Sequence, residues 1–133
     1  MSSSRLPGKV LMEAAGTPML YHLLKRLSKA QFIDDLIIAT TDNPKDDQII
    51  NFANSHNFKF YRGSEDDVMS RVIGAAEFMN AELVVEITGD CPLIDPSIVD
   101  QVISTFLNNN VEYVSNVDVR SFPDGMDVQV FSL

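Results

Sequence analysis

The sequence predicts an α/β domain, in which short buried strands alternate with amphipathic helices around a mainly parallel sheet. Three observations indicate this class. Short, apolar, β-branched segments such as residues 36–40 are typical of buried parallel strands. Leucine side chains recur between such segments at helical spacing, and the connections are short enough for right-handed crossovers. We expect one domain over residues 1–133.

The first predicted helix covers Thr17–Ala30, because its leucines recur with a period close to 3.6 residues. The buried strand Leu36–Thr40 follows. Asn43 and Pro44 then supply an N-cap and a proline for the first turn of a second helix. The apolar stripe of that helix consists of Ile49, Ile50 and Ala53.

A second strand is predicted over Phe58–Tyr61. Ser64 and Asp67 have the spacing of a capping box, with Asp in the usual Glu position, and predict a helix that runs to about Met79. A third strand, Leu83–Thr88, ends before Gly89. The remaining elements are a helix capped by Asp95-Pro96, with Ile98, Val99, Val102, Ile103 and Phe106 on its buried face, and two weaker strands, Tyr113-Val114 and Val128–Phe131.

The composition excludes several classes of protein. With 10 basic and 19 acidic residues, the net charge of −9 argues against nucleic acids and anionic membranes as general partners. The single cysteine, Cys91, rules out an internal disulfide and a cysteine-based metal site, and we interpret it as a small buried thiol. No apolar run has the length of a membrane span or a signal-peptide core, so we expect a cytoplasmic protein.

The N-terminal segment Ser2-Ser3-Ser4-Arg5-Leu6-Pro7-Gly8-Lys9 has the features of a phosphate-binding loop. Small residues let backbone N–H groups approach phosphate oxygens, a Pro-Gly bend turns them inward, and the two cations offset negative charge. The glycine run and the Ser/Thr of a P-loop are missing, and an ordinary polar terminus is the alternative. Ser4, Arg5 and Lys9 are the candidate phosphate ligands.

A second candidate site lies where the predicted strands end. In open parallel sheets, ligands bind beyond the carboxyl ends of the strands, where residues 40–42, 62–64 and 89–91 fall in this sequence. Asp90 follows Gly89, which permits close approach of a ligand, and its carboxylate suits Mg²⁺. The alternative is that Asp90 stabilises a turn. We predict that it binds the metal, whereas Asp95 is explained by helix capping.

Four segments in order resemble the cytidylyltransferase family that activates sugars as CMP derivatives. They are Ser3-Ser4-Arg5-Leu6-Pro7-Gly8-Lys9, Gly16-Thr17-Pro18-Met19-Leu20, Arg62-Gly63-Ser64-Glu65-Asp66-Asp67-Val68 and Thr88-Gly89-Asp90-Cys91-Pro92-Leu93-Ile94-Asp95. The family includes the acylneuraminate and 3-deoxy-manno-octulosonate (Kdo) cytidylyltransferases. The chain is most similar to its spore-coat polysaccharide branch, which also carries the segment matched by Ser115-Asn116 and Pro123-Asp124-Gly125-Met126-Asp127-Val128.

The resemblance implies a Rossmann-like three-layer α/β/α fold of the nucleotide-diphospho-sugar transferase type. It also implies transfer of CMP from CTP to a sugar or sugar acid, with Mg²⁺ as cofactor and pyrophosphate as the second product. The residues that it assigns are Arg5 and Lys9 to the phosphates, Asp90 to the metal, Gly63, Ser64 and Arg71 to the base side, and Asn116 and Asp127 to the sugar. An i, i+4 pair with Asp67 is the alternative for Arg71.

By the same resemblance, the chain looks like part of a longer enzyme, because members of the family have a buried strand before the phosphate loop and a later acidic segment. We therefore expect this chain to be inactive alone and to self-associate as a homo-oligomer through unpaired strand edges. A non-catalytic unit that acts within a longer chain or assembly is the alternative. A phosphoacceptor domain fits less well, since Asp34-Asp35 precede a strand instead of following one.

Overall fold

A computed structural model describes residues 6–119 and 122–133 and confirms the α/β class. The strands are β1 (Glu13–Ala14), β2 (Thr17–Pro18), β3 (Ile37–Thr41), β4 (Lys59–Gly63), β5 (Leu83–Glu86), β6 (Tyr113–Ser115) and β7 (Gln129–Ser132). The helices are α1 (Met19–Leu27), α2 (Asp47–Ser55), α3 (Val68–Met79) and α4 (Pro96–Leu107), with 3₁₀ turns at Lys9–Leu11 and Pro44–Asp46.

The strands pair in three groups. β3 and β4 are parallel, with Ile37 opposite Lys59 and Thr41 opposite Gly63, so the connection through α2 is the predicted crossover. β7 lies between β5 and β6 and is antiparallel to both. β1 and β2 form a small antiparallel hairpin. The parallel arrangement is thus present in β3–β4, while the last strand of the chain pairs in the antiparallel sense.

Two predicted boundaries differ from the structure for local reasons. Thr17 lies in β2, so α1 begins only at Met19, directly after Pro18. The predicted start of α3 at Ser64 is wrong by one turn. Asp67 is the N-cap, since its carboxylate accepts from the Ser70 N–H at 2.9 Å, while Ser64 Oγ accepts from the Asp67 N–H at 3.0 Å.

The predicted caps of the other two helices are confirmed. Asn43 Oδ1 accepts from the Lys45 N–H at the start of the 3₁₀ turn that leads into α2. Asp95 Oδ1 accepts from the Ser97 N–H at the start of α4. Both caps satisfy backbone donors that have no partner within the helix.

The core joins the helices to the strands. The core includes four leucines of α1, three residues of α2, three of α4 and two β-branched residues of the C-terminal segment. These residues are Leu20, Leu23, Leu24, Leu27, Ile49, Phe52, Ala53, Val99, Val102, Ile103, Val128 and Val130. Burial of each large side chain contributes about 1.5–3 kcal/mol. Within the described residues, none of the helices is both long and apolar enough to span a bilayer.

Candidate active site

Lys9 and Asp90, two residues that the sequence analysis singled out, are in direct contact. Lys9 begins the 3₁₀ turn after Gly8, which has a φ of 72° that glycine adopts without strain. Asp90 lies 81 residues further along, in the loop after β5, and Lys9 Nζ is 2.5 Å from its Oδ2. Gly89 packs beside the same turn, because a Cβ at that position would lie 3.6 Å from Val10 Cγ1. The structure therefore brings the predicted phosphate loop and the predicted metal loop together.

The contact keeps Asp90 ionised. The hydrogen bond from Lys9 is the main cause that lowers the pKa of Asp90, and the side chain of Thr88 acts in the same direction, while burial opposes both. The two side chains are 30% and 43% exposed, so water screens part of their attraction. The result is an ionised, accessible carboxylate next to an ammonium group.

Cys91 is buried, as predicted, with 4% of its surface exposed. Burial is the main cause that raises the pKa of its thiol, and the negative charges of Asp90 and Asp127 also raise it. The thiol is therefore protonated at neutral pH and is not suited to nucleophilic attack. The charges of Asp90 and Asp127 thus both act on this thiol.

Asn116 holds the segment that carries Asp127. Its Nδ2 donates to Met126 O at 2.7 Å, and its Oδ1 accepts from the Val128 N–H at 2.8 Å. The two bonds bracket Asp127 in the sequence, so both ends of the amide are engaged by the protein backbone. The assignment of Asn116 and Asp127 to the sugar stays a prediction.

Arg71 packs against Gly63, the last residue of β4, and bonds to Ser64, which follows it. Its Nη1 donates to the Ser64 carbonyl, and a Cβ at position 63 would come within 3.0 Å of Arg71 Cγ. Arg71 Nε is buried and has no hydrogen-bond partner within residues 6–119 and 122–133. Asp67 uses its carboxylate to cap α3. The three predicted base-side residues are thus adjacent, and their contact with a base stays a prediction.

Arg62 belongs to one of the segments that resemble the family, but no role was predicted for it. Its guanidinium donates to Thr41 O at 3.0 Å and to Asn43 O at 3.1 Å, and it pairs with Asp47 at 2.8 Å. Arg62 therefore ties the carboxyl ends of β3 and β4 to the start of α2. The segment Arg62-Gly63-Ser64 can be recognised in the sequence. The partners of Arg62 cannot, because they depend on the parallel register of β3 and β4.

Asp46 stabilises the same junction through hydrogen bonds to the end of β3. It is 2% exposed, and its Oδ2 accepts from the hydroxyls of Thr40 and Thr41, each at 2.8 Å. Burial alone raises the pKa of Asp46, but hydrogen bonds, including those from the two threonines, outweigh burial and lower its pKa to about 2. No sequence motif distinguished Asp46 from the other acidic residues.

An open pocket of about 510 Å³ lies against the N-terminal loop. It is lined by Pro7, Gly8, Leu11, Met12, Lys45 and Gln48. Its volume is in the range of small-molecule sites. The predicted ligands Ser4 and Arg5 lie outside the described residues. The described residues contain no group of three or more His, Cys, Asp or Glu side chains that could hold a metal ion.

Comparison with known proteins gives consistent results. The profile of the cytidylyltransferase family matches residues 1–122. The spore coat polysaccharide biosynthesis protein SpsF of Bacillus subtilis is 32% identical over 85% of this chain and 49% of its own length. The 3-deoxy-manno-octulosonate cytidylyltransferase of Geobacter sulfurreducens is 31% identical over 81% of this chain and 42% of its own length.

A solved structure shows the same fold at higher similarity. The cytidylyltransferase from Leptospira borgpetersenii superposes with a TM-score of 0.93 at 36% identity, over 99% of this chain and 56% of that chain. The present chain spans about half the length of the curated relatives that it matches.

We predict that Asn116→Ala destabilises the fold by about 1–3 kcal/mol, because it leaves the buried N–H of Val128 without its acceptor. Urea unfolding followed by circular dichroism measures the change. Asn109→Ala is the matched control, since that exposed amide donates to Thr105 O within the end of a helix. An equally small effect of both substitutions would contradict the structural role of Asn116.

The second prediction concerns the pH dependence of the Lys9–Asp90 contact. Because the pKa of Asp90 is lowered in the folded state, the contact stabilises the fold above the pKa of the unfolded chain and loses this effect as pH falls through the folded value. Lys9→Met removes the main cause and should raise the pKa of Asp90 towards its ordinary value. Carboxyl carbon NMR in metal-free buffer measures this, with Lys29→Met as the control. An unchanged pKa of Asp90 in Lys9→Met would rule out the contact in solution.

Proposed function

Because the chain belongs to the cytidylyltransferase family, we propose that it acts in the transfer of CMP from CTP to a sugar or sugar acid for surface polysaccharide or glycan biosynthesis. The observation that carries this proposal is the contact between Lys9 and Asp90. The contact joins the phosphate-binding loop to the carboxylate expected to hold the metal. The names of SpsF and of the Kdo cytidylyltransferase relative support a sugar or sugar acid as acceptor.

The proposed reaction is an in-line displacement at the α-phosphorus of CTP. A hydroxyl oxygen of the acceptor forms the new bond to the α-phosphorus, and its proton passes to water. The bond from the α-phosphorus to the bridging oxygen breaks, and pyrophosphate leaves with that electron pair. Little covalent chemistry falls to the protein, so catalysis depends on position and on compensation of charge. Lys9 would hold the β- and γ-phosphates and stabilise the leaving pyrophosphate, with Arg5 as a second proposed cation.

The residues present fit Mg²⁺ as the cofactor. Asp90 offers an ionised and partly exposed carboxylate, and Mg²⁺ is usually bound by one or two carboxylates together with substrate phosphates and water. When bound, the ion would neutralise charge that develops on the phosphates. The ammonium of Lys9 contacts one oxygen of Asp90 in the present structure. Both side chains are partly exposed, so the ammonium would be able to turn towards the phosphates when the nucleotide binds.

The base and the sugar would lie on either side of this centre. Gly63 presents no side chain, and Ser64 with Arg71 would border the cytosine and ribose. Asp127 is proposed to face the sugar, and Asn116 would act on the sugar side by holding Asp127 in place through Met126 and Val128.

Binding of CTP is the direct test of the phosphate loop. We expect Lys9→Ala to weaken CTP binding in the presence of Mg²⁺ by about 1–3 kcal/mol, because it removes a charge-assisted contact to the phosphates. Isothermal titration calorimetry measures the change, and Lys29→Ala serves as the control for loss of one positive charge. Unchanged affinity in Lys9→Ala would remove this residue from the phosphate site.

Turnover is the test of the metal site. In a form of the protein that releases pyrophosphate from CTP and an acceptor sugar, Asp90→Asn should abolish this release, because the amide keeps the shape and loses the charge. Cooperative unfolding should persist. Near-normal activity of the variant at saturating Mg²⁺ would show that Asp90 serves only the turn. CTP binding without turnover by the unaltered enzyme would favour the alternative of a non-catalytic unit.

A further inference from the structure

The segment that carries Lys45 is anchored through Asn43. The Lys45 N–H donates to Asn43 Oδ1 at 2.9 Å, and Asn43 in turn donates through Nδ2 to Glu65 Oε2 at 2.6 Å. Arg62 also donates to the Asn43 carbonyl at 3.1 Å. The backbone at Lys45 is therefore connected to the loop after β4, although the side chain of Lys45 itself is exposed.

The carboxylates next to Lys45 in sequence are engaged elsewhere. Asp46 is buried and accepts from the hydroxyls of Thr40 and Thr41, and Asp47 pairs with Arg62. Within the part of the chain that the structure describes, no carboxylate lies within ion-pair distance of Lys45. In a protein with a net charge of −9, such a cation produces a local positive potential.

Lys45 lines the pocket of about 510 Å³ together with two residues of the predicted phosphate-binding loop, Pro7 and Gly8. Gln48 lines the same pocket. Gly8 directly precedes Lys9, whose side chain reaches Asp90. A triphosphate bound along the Pro7–Gly8 bend would therefore share this pocket with the side chain of Lys45.

We propose that Lys45 is a further phosphate-binding residue, and that its ammonium contacts the terminal phosphates of a nucleoside triphosphate in this pocket. The proposal rests on the proposed function, because it takes the nucleotide as the ligand of the loop. A lysine acts on phosphate as a compact point charge, and Gln48, which also lines the pocket, has an amide that would serve as a neutral donor.

This position of Lys45 has a consequence for selectivity. A contact with the terminal phosphates is made by CTP and is absent when the ligand is CMP. Lys45 would therefore favour the substrate nucleotide over a monophosphate, and it would not discriminate between bases. The contribution should decrease as salt increases, since the side chain is exposed and its charge is screened.

Calorimetric titration of the protein with CTP and with CMP, each with Mg²⁺, tests the proposal. We expect Lys45→Ala to weaken CTP binding by about tenfold and CMP binding by less than about twofold, since one charge-assisted contact is lost in the first case only. Lys45→Arg should retain most of the affinity for CTP. Circular dichroism checks that the exposed substitution leaves the fold intact.

Lys29→Ala is the matched control. Lys29 is an exposed lysine beyond the far end of α1, and the near end of that helix is bonded to Met12 at the pocket through the Met19 N–H. The helix is about 13 Å long at 1.5 Å per residue. The control removes one positive charge at a position distant from the pocket. It should therefore leave the affinities for CTP and CMP unchanged.

Three outcomes would overturn the proposal. CTP affinity that is unchanged in Lys45→Ala but reduced in Lys9→Ala removes Lys45 alone and leaves the proposed function intact. Equal losses for CTP and CMP show that Lys45 does not contact the terminal phosphates. Failure of the unaltered protein to bind CTP at all would overturn the proposed function together with this inference.

Discussion

The contact between Lys9 and Asp90 is the interaction on which the arrangement of the site depends. It links the N-terminal turn to a loop 81 residues away. It also pairs a positive charge with a negative charge, so that each compensates the other. Under the proposed function each partner contacts a different part of a metal-bound triphosphate, and one ion pair then holds both halves of the proposed site close together. The exposure of both side chains permits their exchange for ligand contacts.

The surrounding loops are held mainly by side chains that bond to backbone atoms. Arg62 contacts the carbonyls of Thr41 and Asn43, and Asn116 bonds the backbone on both sides of Asp127. Bonds of this kind constrain the path of a loop while leaving neighbouring side chains available. Precise functional geometry requires such support, and here the amide of Asn116 supplies it to the segment that carries Asp127.

Local features of the fold were predictable from the sequence, and distant ones were not. The caps at Asn43 and Asp95 and the apolar stripe of α1 depend on residues a few positions apart. The predicted start of α3 was wrong because Ser64 and Asp67 are both good capping residues, and local spacing does not decide between them.

The candidate site shows the same division. Asp90 could be proposed from the end of a strand and a following loop, whereas the partners of Arg62 and the pocket at Lys45 depend on which strands are neighbours and in what register. The resemblance to a family identified motifs that are shared by its members. It gave no reason to select Lys45 or Asp46, which are recognised by their surroundings in three dimensions.

The position of β7 between β5 and β6 has a consequence for the order of folding during synthesis. β7 leaves the ribosome after β5 and β6, yet it supplies the hydrogen-bonding partner of both. β5 and β6 must therefore wait for residues 129–132, and such late, long-range pairing is slow compared with helix formation. Asp127 lies two residues before this strand, so a nascent chain brings Asp127 into the candidate site only after residues 129–132 have emerged and paired.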